Sequence, residues 1–513
     1  MYSQFSNFLQ MLQITILEAA VTICVMIVAA FFIFMGRNFN RWKKDNVPFL
    51  KPKPIFGNIL DVCRMKITFG ELCKNIYDGI STPFIGIFIL DKPGIIIKDL
   101  DLVRDVLIKD FEYFMDRSLA NNEKNDIMGS NMLFLMKSPK WNIVRKKMTP
   151  IFTTSKIKMM SALMQRCSEQ MMDYISKKTI ENTVLDVRDI SVKYAVNSIT
   201  SASFGLEAGC FEESGSLFRV VSERIYNWKR FSAAIQTICF FFAPFLVKLF
   251  SMKFIDTMSS NCLKEYFWKT MNERETKNVS RGDLLDILRE MKKQEETEKL
   301  ESLDENVIVA QAVQFFAAGF ETTSASLAFA LLELARNSEI QQKLRNEIVR
   351  INEEYGSISY NGLRDMEYLD KVVHETLRKY PILPFLDRRC NKSYNNVEHG
   401  LKLQRDDLVY IPVLAIHYDE KYYPNPETFD PERFSRENAE KRHNMSYLPF
   451  GEGPRVCIGK RFALLNLKSG LAHILLDYEV KICRKTVSVH CINPRGITLQ
   501  PKSEVYLEFV KVR

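Results

Sequence analysis

Residues 450–459 of this 513-residue sequence read FGEGPRVCIG, a glycine-rich stretch with one cysteine and one arginine. It runs into a helical pattern over Lys460 to Asp477, so Cys457 stands just ahead of a helix N-terminus. There the helix dipole and backbone N–H groups without intrahelical partners stabilise a thiolate. Gly451 and Gly459 let the backbone approach a flat cofactor closely, Phe450 offers it a ring, and Arg455 offers a planar fork for carboxylates. Two other glycine-loop chemistries fail on spacing. A phosphate loop needs four residues between its glycines, then Lys and Ser or Thr. Here Gly453 and Gly459 have five between them, and Arg461 follows Lys460. A dinucleotide fingerprint needs glycine where Val456 stands.

A second unusual stretch is AGFETT, Ala318 to Thr323. It lies in a run from Ser302 to about Arg336 that predicts one long helix, opened by a Ser302–Glu305 capping box. At 1.5 Å per residue that helix is roughly 50 Å long, enough to cross the molecule. Val307 to Ala318 is apolar on nearly every side, which predicts burial. Within such a helix a glycine costs about 1 kcal/mol against alanine, and an unpaired carboxylate costs far more. Rules broken together at one place point to function. Glu321 and Thr322, at a break in a dry helix and fed by water, would make a proton relay. Gln311, Phe315, Ala318 and Thr322 share one helix face, which makes Phe315 and Ala318 candidate substrate contacts.

The elements that must position these residues are mostly helical. Short strands are expected at Phe84 to Leu90, Gly94 to Ile97, Leu408 to Pro412 and Val505 to Val510. The charged stretch Lys269 to Asn306 mixes signs and reads as surface helices and turns. Beyond the N-terminal segment no repeat, low-complexity tract or internal domain boundary is evident. The 36 Phe and 21 Met suit a core built around a bulky apolar object. A net charge of +9 points to acidic partners or anionic membrane rather than nucleic acid. The eleven cysteines are odd in number and scattered without a C-x-x-C pair, which argues against a disulfide framework or zinc ribbon. Apart from Cys457 they read as buried small hydrophobes.

Ala19 to Met35 is an uncharged apolar run that, counted back to Ile14, is about long enough to span a bilayer. No Lys or Arg precedes Arg37, whereas Arg37, Arg41, Lys43 and Lys44 follow at once. That asymmetry favours a retained anchor with everything downstream in the cytosol over the rival reading, a cleaved signal peptide, whose basic start this segment lacks. The expected organisation is an anchor helix over 1–36, a basic proline-containing linker over 37–56 and a catalytic domain over 57–513. The apolar cluster Ile238 to Leu249 is too short to span and contains Pro244. It reads as core or as a patch dipping into the membrane, with the membrane favoured.

Together these motifs resemble the cytochrome P450 superfamily. FGEGPRVCIG meets the signature F-x-x-G-x-R-x-C-x-G at every fixed position. Trp141 and Arg145 in WNIVRKKMTPIF match the family's W-x-x-x-R helix, AGFETT its oxygen-activation motif, and Glu375 and Arg378 its E-x-x-R. Arg433 in PERF would complete a buried structural triad with that pair. The resemblance runs from anchor to C-terminus and is strongest to insect microsomal xenobiotic-metabolising enzymes. MEYLDKVVHETLRKYPILPFL and SYLPFGEGPRVCIGKRFALLNLKSGLAHILLDYEV carry it.

The resemblance implies a mainly α (α+β) fold, a large helical domain with a small β-rich region, holding haem b between the central helix and the Cys457 loop. Cys457 would be the axial ligand of the iron. Trp141, Arg145, Arg388, Arg455 and Arg117 would contact the propionates, while Thr322 and Glu321 would deliver protons. Phe134, Leu383, Pro384, Leu386, Ile497 and Thr498 fall in regions that contact substrate in the family. The implied activity inserts one oxygen atom from O2 into a lipophilic small molecule. Because no flavin or nicotinamide fingerprint appears, electrons must come from a separate protein. By resemblance that is NADPH–cytochrome P450 reductase, with cytochrome b5 as a second donor, at the endoplasmic reticulum membrane. Lys137, Lys140, Lys146, Lys147, Lys460 and Arg461 could form the basic docking face for such an acidic partner. Two other readings stay open, a haem-thiolate isomerase or dehydratase and a non-catalytic membrane-anchored haem- or lipid-binding protein. Thr322 speaks against the first. The intact set of Cys457, Thr322, Glu375 and Arg378 speaks against the second.

Overall fold

The computed structural model describes residues 2–212, 215–226, 230–298, 304–486 and 492–512, with side chains left aside for 2–10 and 294–298. Its organising element is a central helix, Glu305–Arg336, buried from Val307 to Ala317. The cap is Asp304, whose carboxylate accepts the Val307 N–H at 2.8 Å; Ser302, expected in that role, lies outside the described residues. The helix is continuous through Ala318–Thr323. Instead of a break, the Thr322 hydroxyl bonds back to the Ala318 carbonyl at 2.8 Å.

Gly319 serves packing. A Cβ added there would lie 2.6 Å from Ile199, so the glycine lets the helix Val187–Phe204 approach closely. The helices Thr154–Glu181 and Lys460–Asp477 complete the bundle around it. A buried polar seam sets their register. Tyr194 donates to Asn466 Oδ1 at 2.7 Å, Ser198 donates to the same atom at 2.8 Å, and Ser168 and Ser469 share a hydrogen bond of 2.9 Å. Each of these groups would be costly if left unpaired, so the helices cannot slide past one another cheaply.

The β-rich part follows from β-branched and aromatic runs bounded by turns. Phe84–Ile89, Lys92–Ile97, Leu408–Ile411 and Leu386–Arg389 form one sheet in that order, with only the central pair parallel. Its last strand pairs Arg388 with Val409, which aims Arg388 inward. A second sheet orders Val184–Asp186, Tyr506–Lys511 and Tyr478–Ile482.

The N-terminal helix spans Tyr2–Gly36, and within its stretch Met11–Gly36 an 18-residue window reaches a mean hydropathy of 2.6. The segment after it does not stand free. Trp42 is fully buried and donates its indole N–H to the Ile87 carbonyl at 3.0 Å, and Arg37 pairs with Asp91 at 2.8 Å. Gly86 makes the seat, since a Cβ there would lie 2.7 Å from the Trp42 ring.

The Ile238–Leu249 cluster divides between two helices, Phe231–Phe242 and Pro244–Leu249. Phe240, Phe241, Phe242 and Val247 enter the core, whereas Phe245 and Leu249, with Phe231 and Phe250, remain exposed. The cysteine expectation needs correction. Cys73, Cys167, Cys210, Cys239 and Cys390 are buried, but Cys24 is exposed on the N-terminal helix and Cys63, Cys262 and Cys483 are half-buried. Cys491 lies outside the described residues.

Candidate active site

The Cys457 loop is built by hydrogen bonds that its sequence anticipates. The Cys457 N–H donates to the Phe450 carbonyl at 2.9 Å, closing the loop on itself. Gly451 and Gly453 adopt φ of 69° and 74°, and a Cβ on Gly453 would lie 2.0 Å from the Leu107 carbonyl oxygen, so no other residue fits there. Gly459 caps the helix Lys460–Asp477 without a side-chain hydrogen bond, and the Lys460 N–H donates to the Cys457 carbonyl at 3.4 Å. Arg145 donates to the Val456 carbonyl at 2.8 Å and so ties the loop to the helix Lys140–Met148. Burial pushes the Cys457 thiol above its ordinary pKa, while the Gly459 amide and the charges of Arg145, Arg117 and Lys460 pull it down. A metal ion at the sulfur would settle the balance for thiolate.

Cys457 opens onto a cavity of about 310 Å³. Its other wall is the central helix, where Phe315, Ala318, Gly319 and Thr322 face inward. Along this otherwise buried helix, Ala318 is exposed to the cavity. Phe134, Leu383 and Leu386 complete an apolar rim, with Arg117, Trp141, Arg145, Arg388, Arg455, Phe450, Gly451 and Gly459 around them. The structure thus gathers these sequence-predicted residues into one site.

Four predicted residues lie elsewhere. Pro384 turns away to pack on Gly70, where an added Cβ would lie 2.4 Å from it. Ile497 packs on the phenylalanine-rich cluster below the first sheet, and Thr498 is outside the cavity lining, its buried hydroxyl without a partner among the described residues. Glu321 lines a different space, a polar cleft of about 440 Å³ shared with Asp189, Arg219, Tyr226 and Lys502. Acid and hydroxyl therefore face different spaces across an unbroken helix. Gln314 was not anticipated. Its side-chain oxygen accepts the Phe134 N–H at 2.7 Å and fixes that segment over the cavity.

The basic rim is over-supplied with positive charge. Arg455 donates to the Met115 carbonyl at 2.6 Å, meets Asp116 at 3.5 Å and stacks 4.0 Å over the Trp141 ring. Arg117 pairs with Asp387 at 3.3 Å and lies 4.5 Å over Phe134. Lys137 is drawn inward, donating to the carbonyls of Arg117 and Leu119, so it does not belong to an exposed docking face. Burial lowers its pKa to about 8. Arg388 is buried, and burial together with the neighbouring Arg117 lowers its pKa to about 9. Arg455 is pushed the same way by burial, Arg117 and Arg388. Nε of Arg388 and Nε of Arg117 are buried without hydrogen-bond partners among the described residues. Two carboxylates entering here would neutralise this excess and meet those donors. The donor set fits a flat dicarboxylate group whose metal faces Cys457.

The support behind the loop is equally specific. Arg378 donates to both carboxylate oxygens of Glu375, at 2.7 and 2.8 Å, and to the carbonyls of His417 and Pro426 at 2.9 and 2.7 Å. Glu375 and Arg378 are fully buried, and Arg433 joins Glu375 at 3.5 Å. Burial disfavours the Arg378 charge, but Glu375 more than offsets it and raises the guanidinium's pKa. His417 carries this support forward. Its Nδ1 meets the Arg378 carbonyl at 3.0 Å, and its Nε2 accepts the Leu448 N–H at 2.8 Å, nine residues before Cys457. No motif pointed to His417.

A family model for cytochrome P450 matches residues 47–508 of this chain. The chain belongs to the cytochrome P450 family. It is therefore a haem-dependent monooxygenase. The P450 chain is 37% identical to cytochrome P450 6j1 of Blattella germanica, over 97% of its length and 98% of that relative. It is also 37% identical to cytochrome P450 6k1 of the same insect, over 96% and 97% of the two chains. Cytochrome P450 6A1 of Musca domestica shares 35% identity over 94% and 95%.

Proposed function

We propose that this P450 is a membrane-anchored haem-thiolate enzyme that hydroxylates lipophilic small molecules with electrons from an NADPH-dependent reductase. It sits at the endoplasmic reticulum with its domain in the cytosol. One observation carries the reading: the Cys457 sulfur opens onto an apolar cavity rimmed by arginines that lack enough acids. Haem b supplies the activation of dioxygen and the transfer of one oxygen atom when bound, the other atom leaving as water.

The chain's own residues do the rest. Cys457 would bind the haem iron through its sulfur, and Arg117, Arg145, Arg388, Arg455 and the Trp141 N–H would hold the carboxylates of the group. Phe134, Phe315, Ala318, Leu383 and Leu386 orient an apolar substrate and keep bulk water out. Thr322 holds a proton at Oγ1 on the cavity wall. Glu321 lines the polar cleft on the other side of the unbroken helix and takes no part in this step in the conformation described. Lys140, Lys146, Lys147, Lys460 and Arg461, with Lys137 set aside, face the reductase, and cytochrome b5 can use the same face. The apolar helix Met11–Gly36 and the basic residues after it support insertion with the domain on the cytosolic side. Exposed Phe231, Phe245, Leu249 and Phe250 are the surface that meets the bilayer.

The deciding test is the reduced carbon-monoxide difference spectrum of the parent and of Cys457→Ser. A strongly red-shifted Soret band in the parent, lost in the variant, is expected. A parent band like that of histidine-ligated haem would overturn the assignment of Cys457.

A further inference from the structure

A second large space, of about 1770 Å³, runs between the end of the N-terminal helix and the domain. Its lining has two characters. Phe31, Phe34, Phe245 and Leu246 make one side apolar. The other side carries eight basic residues against four acidic ones. Three of those acids are already paired, Asp91 with Arg37, Asp406 with Arg389 and Asp407 with Arg41. Lys92, Lys248 and Arg405 make no ion pair among the described residues. Lys92 follows the first strand, Lys248 lies on the helix Pro244–Leu249, and Arg389 ends a strand of the same sheet. The fold brings the three together. Burial and then Arg389 depress the Lys92 pKa, Asp91 and Asp406 oppose them only in part, and Lys248 adds to the depression. Cations crowded from separate elements raise the free energy of the fold unless an anion joins them.

We propose that this groove binds an anionic glycerophospholipid, its phosphate between Lys92 and Lys248 and its acyl chains along Phe31, Phe34 and Phe245. Charge complementarity selects the headgroup, and the phenylalanines select a ligand with tails. A soluble phosphate would leave the rings unused, and a neutral lipid would leave the cations uncompensated. Depth agrees as well. The apolar span ends at Gly36 and the groove opens at Arg37, the level at which headgroups lie when such a helix crosses a bilayer. The inference rests on the membrane anchorage proposed above.

The test uses the full-length protein reconstituted in vesicles of phosphatidylcholine and phosphatidylserine, then extracted in neutral detergent and weighed by native mass spectrometry. Flotation with the vesicles is read first and reports anchorage alone; a chain that fails to float overturns anchorage and the lipid site with it. For a floating chain, one phosphatidylserine retained per molecule is expected, in preference to phosphatidylcholine. Lys92→Gln combined with Lys248→Gln should cut that retention roughly thirtyfold. Lys441→Gln, outside the groove, should leave it unchanged. Equal retention of both lipids, retention insensitive to the double variant, or displacement of the lipid by inorganic phosphate would each overturn the proposal.

Discussion

Replacing His417 by leucine isolates one link between the buried Glu375–Arg378 pair and the loop that carries Cys457. The imidazole is fully buried and stacks on Tyr447 at 5.4 Å and 21°. Its two nitrogens meet a carbonyl on one side and an N–H on the other, so it must be the neutral tautomer with hydrogen on Nδ1. Leucine fills much the same volume but leaves the Arg378 carbonyl and the Leu448 N–H buried and unpaired. Each orphan costs about 1–3 kcal/mol, so local opening of the loop becomes easier by about 4 kcal/mol. Hydrogen exchange of the peptide spanning residues 445–457 should then accelerate about a thousandfold. The red-shifted carbon-monoxide band should also decay faster than in the parent. His417→Gln carries a donor and an acceptor and should restore most of the protection. Unchanged exchange at 445–457 in the leucine variant would refute the reasoning and reduce the imidazole to a space filler. Burial, together with the nearby Arg378 charge, holds the imidazole pKa down from 6.5 to about 3, so the unfolded chain takes a proton the native state refuses. The His417 contribution is therefore complete above pH 6.5. It falls by about 1.4 kcal/mol per unit as the pH drops toward 3, and the glutamine variant should lack that slope.

Thr322→Ala should lower product formed per NADPH about a hundredfold while leaving the carbon-monoxide band in place, because the proton is lost and the ligand is not. Arg388→Met should raise the melting temperature of the haem-free protein and yet weaken haem retention, roughly tenfold to a hundredfold in a transfer assay to apomyoglobin. A variant that lowered both would show that Arg388 is structural. Reversing Lys140, Lys146 and Lys460 should raise the apparent KM for reductase at low salt, and the effect should fade as ionic strength rises.

What could be read from the sequence was what neighbouring residues decide. Gly451, Gly453 and Cys457 sit within one loop whose dihedrals and helix cap are set locally, so spacing alone disclosed their chemistry. The four expected strands likewise emerged within two residues of their expected ends, although five further strands among the described residues were not anticipated. Residues whose role is set by distant partners were silent. His417 works through Arg378 and Leu448, 39 and 31 positions away. Lys137 has the look of a surface cation, but it caps carbonyls 18 and 20 positions back. Pro384 differs from Leu383 and Leu386 only in which way the chain turns before the strand begins. Gly319 stood out as a broken rule, although only the approach of Ile199 explains it.

Trp42 also sets where the folded body starts. It precedes the first residue matched to the family, yet it plugs the first strand at Ile87 and needs the bare face of Gly86 to fit. A soluble version cut after residue 36 keeps that plug, whereas a cut at residue 46 uncovers Phe88 and a flank of the sheet that carries Arg388. The place to part the domain from the apolar N-terminal helix is therefore the short step between Gly36 and Trp42, ahead of the prolines.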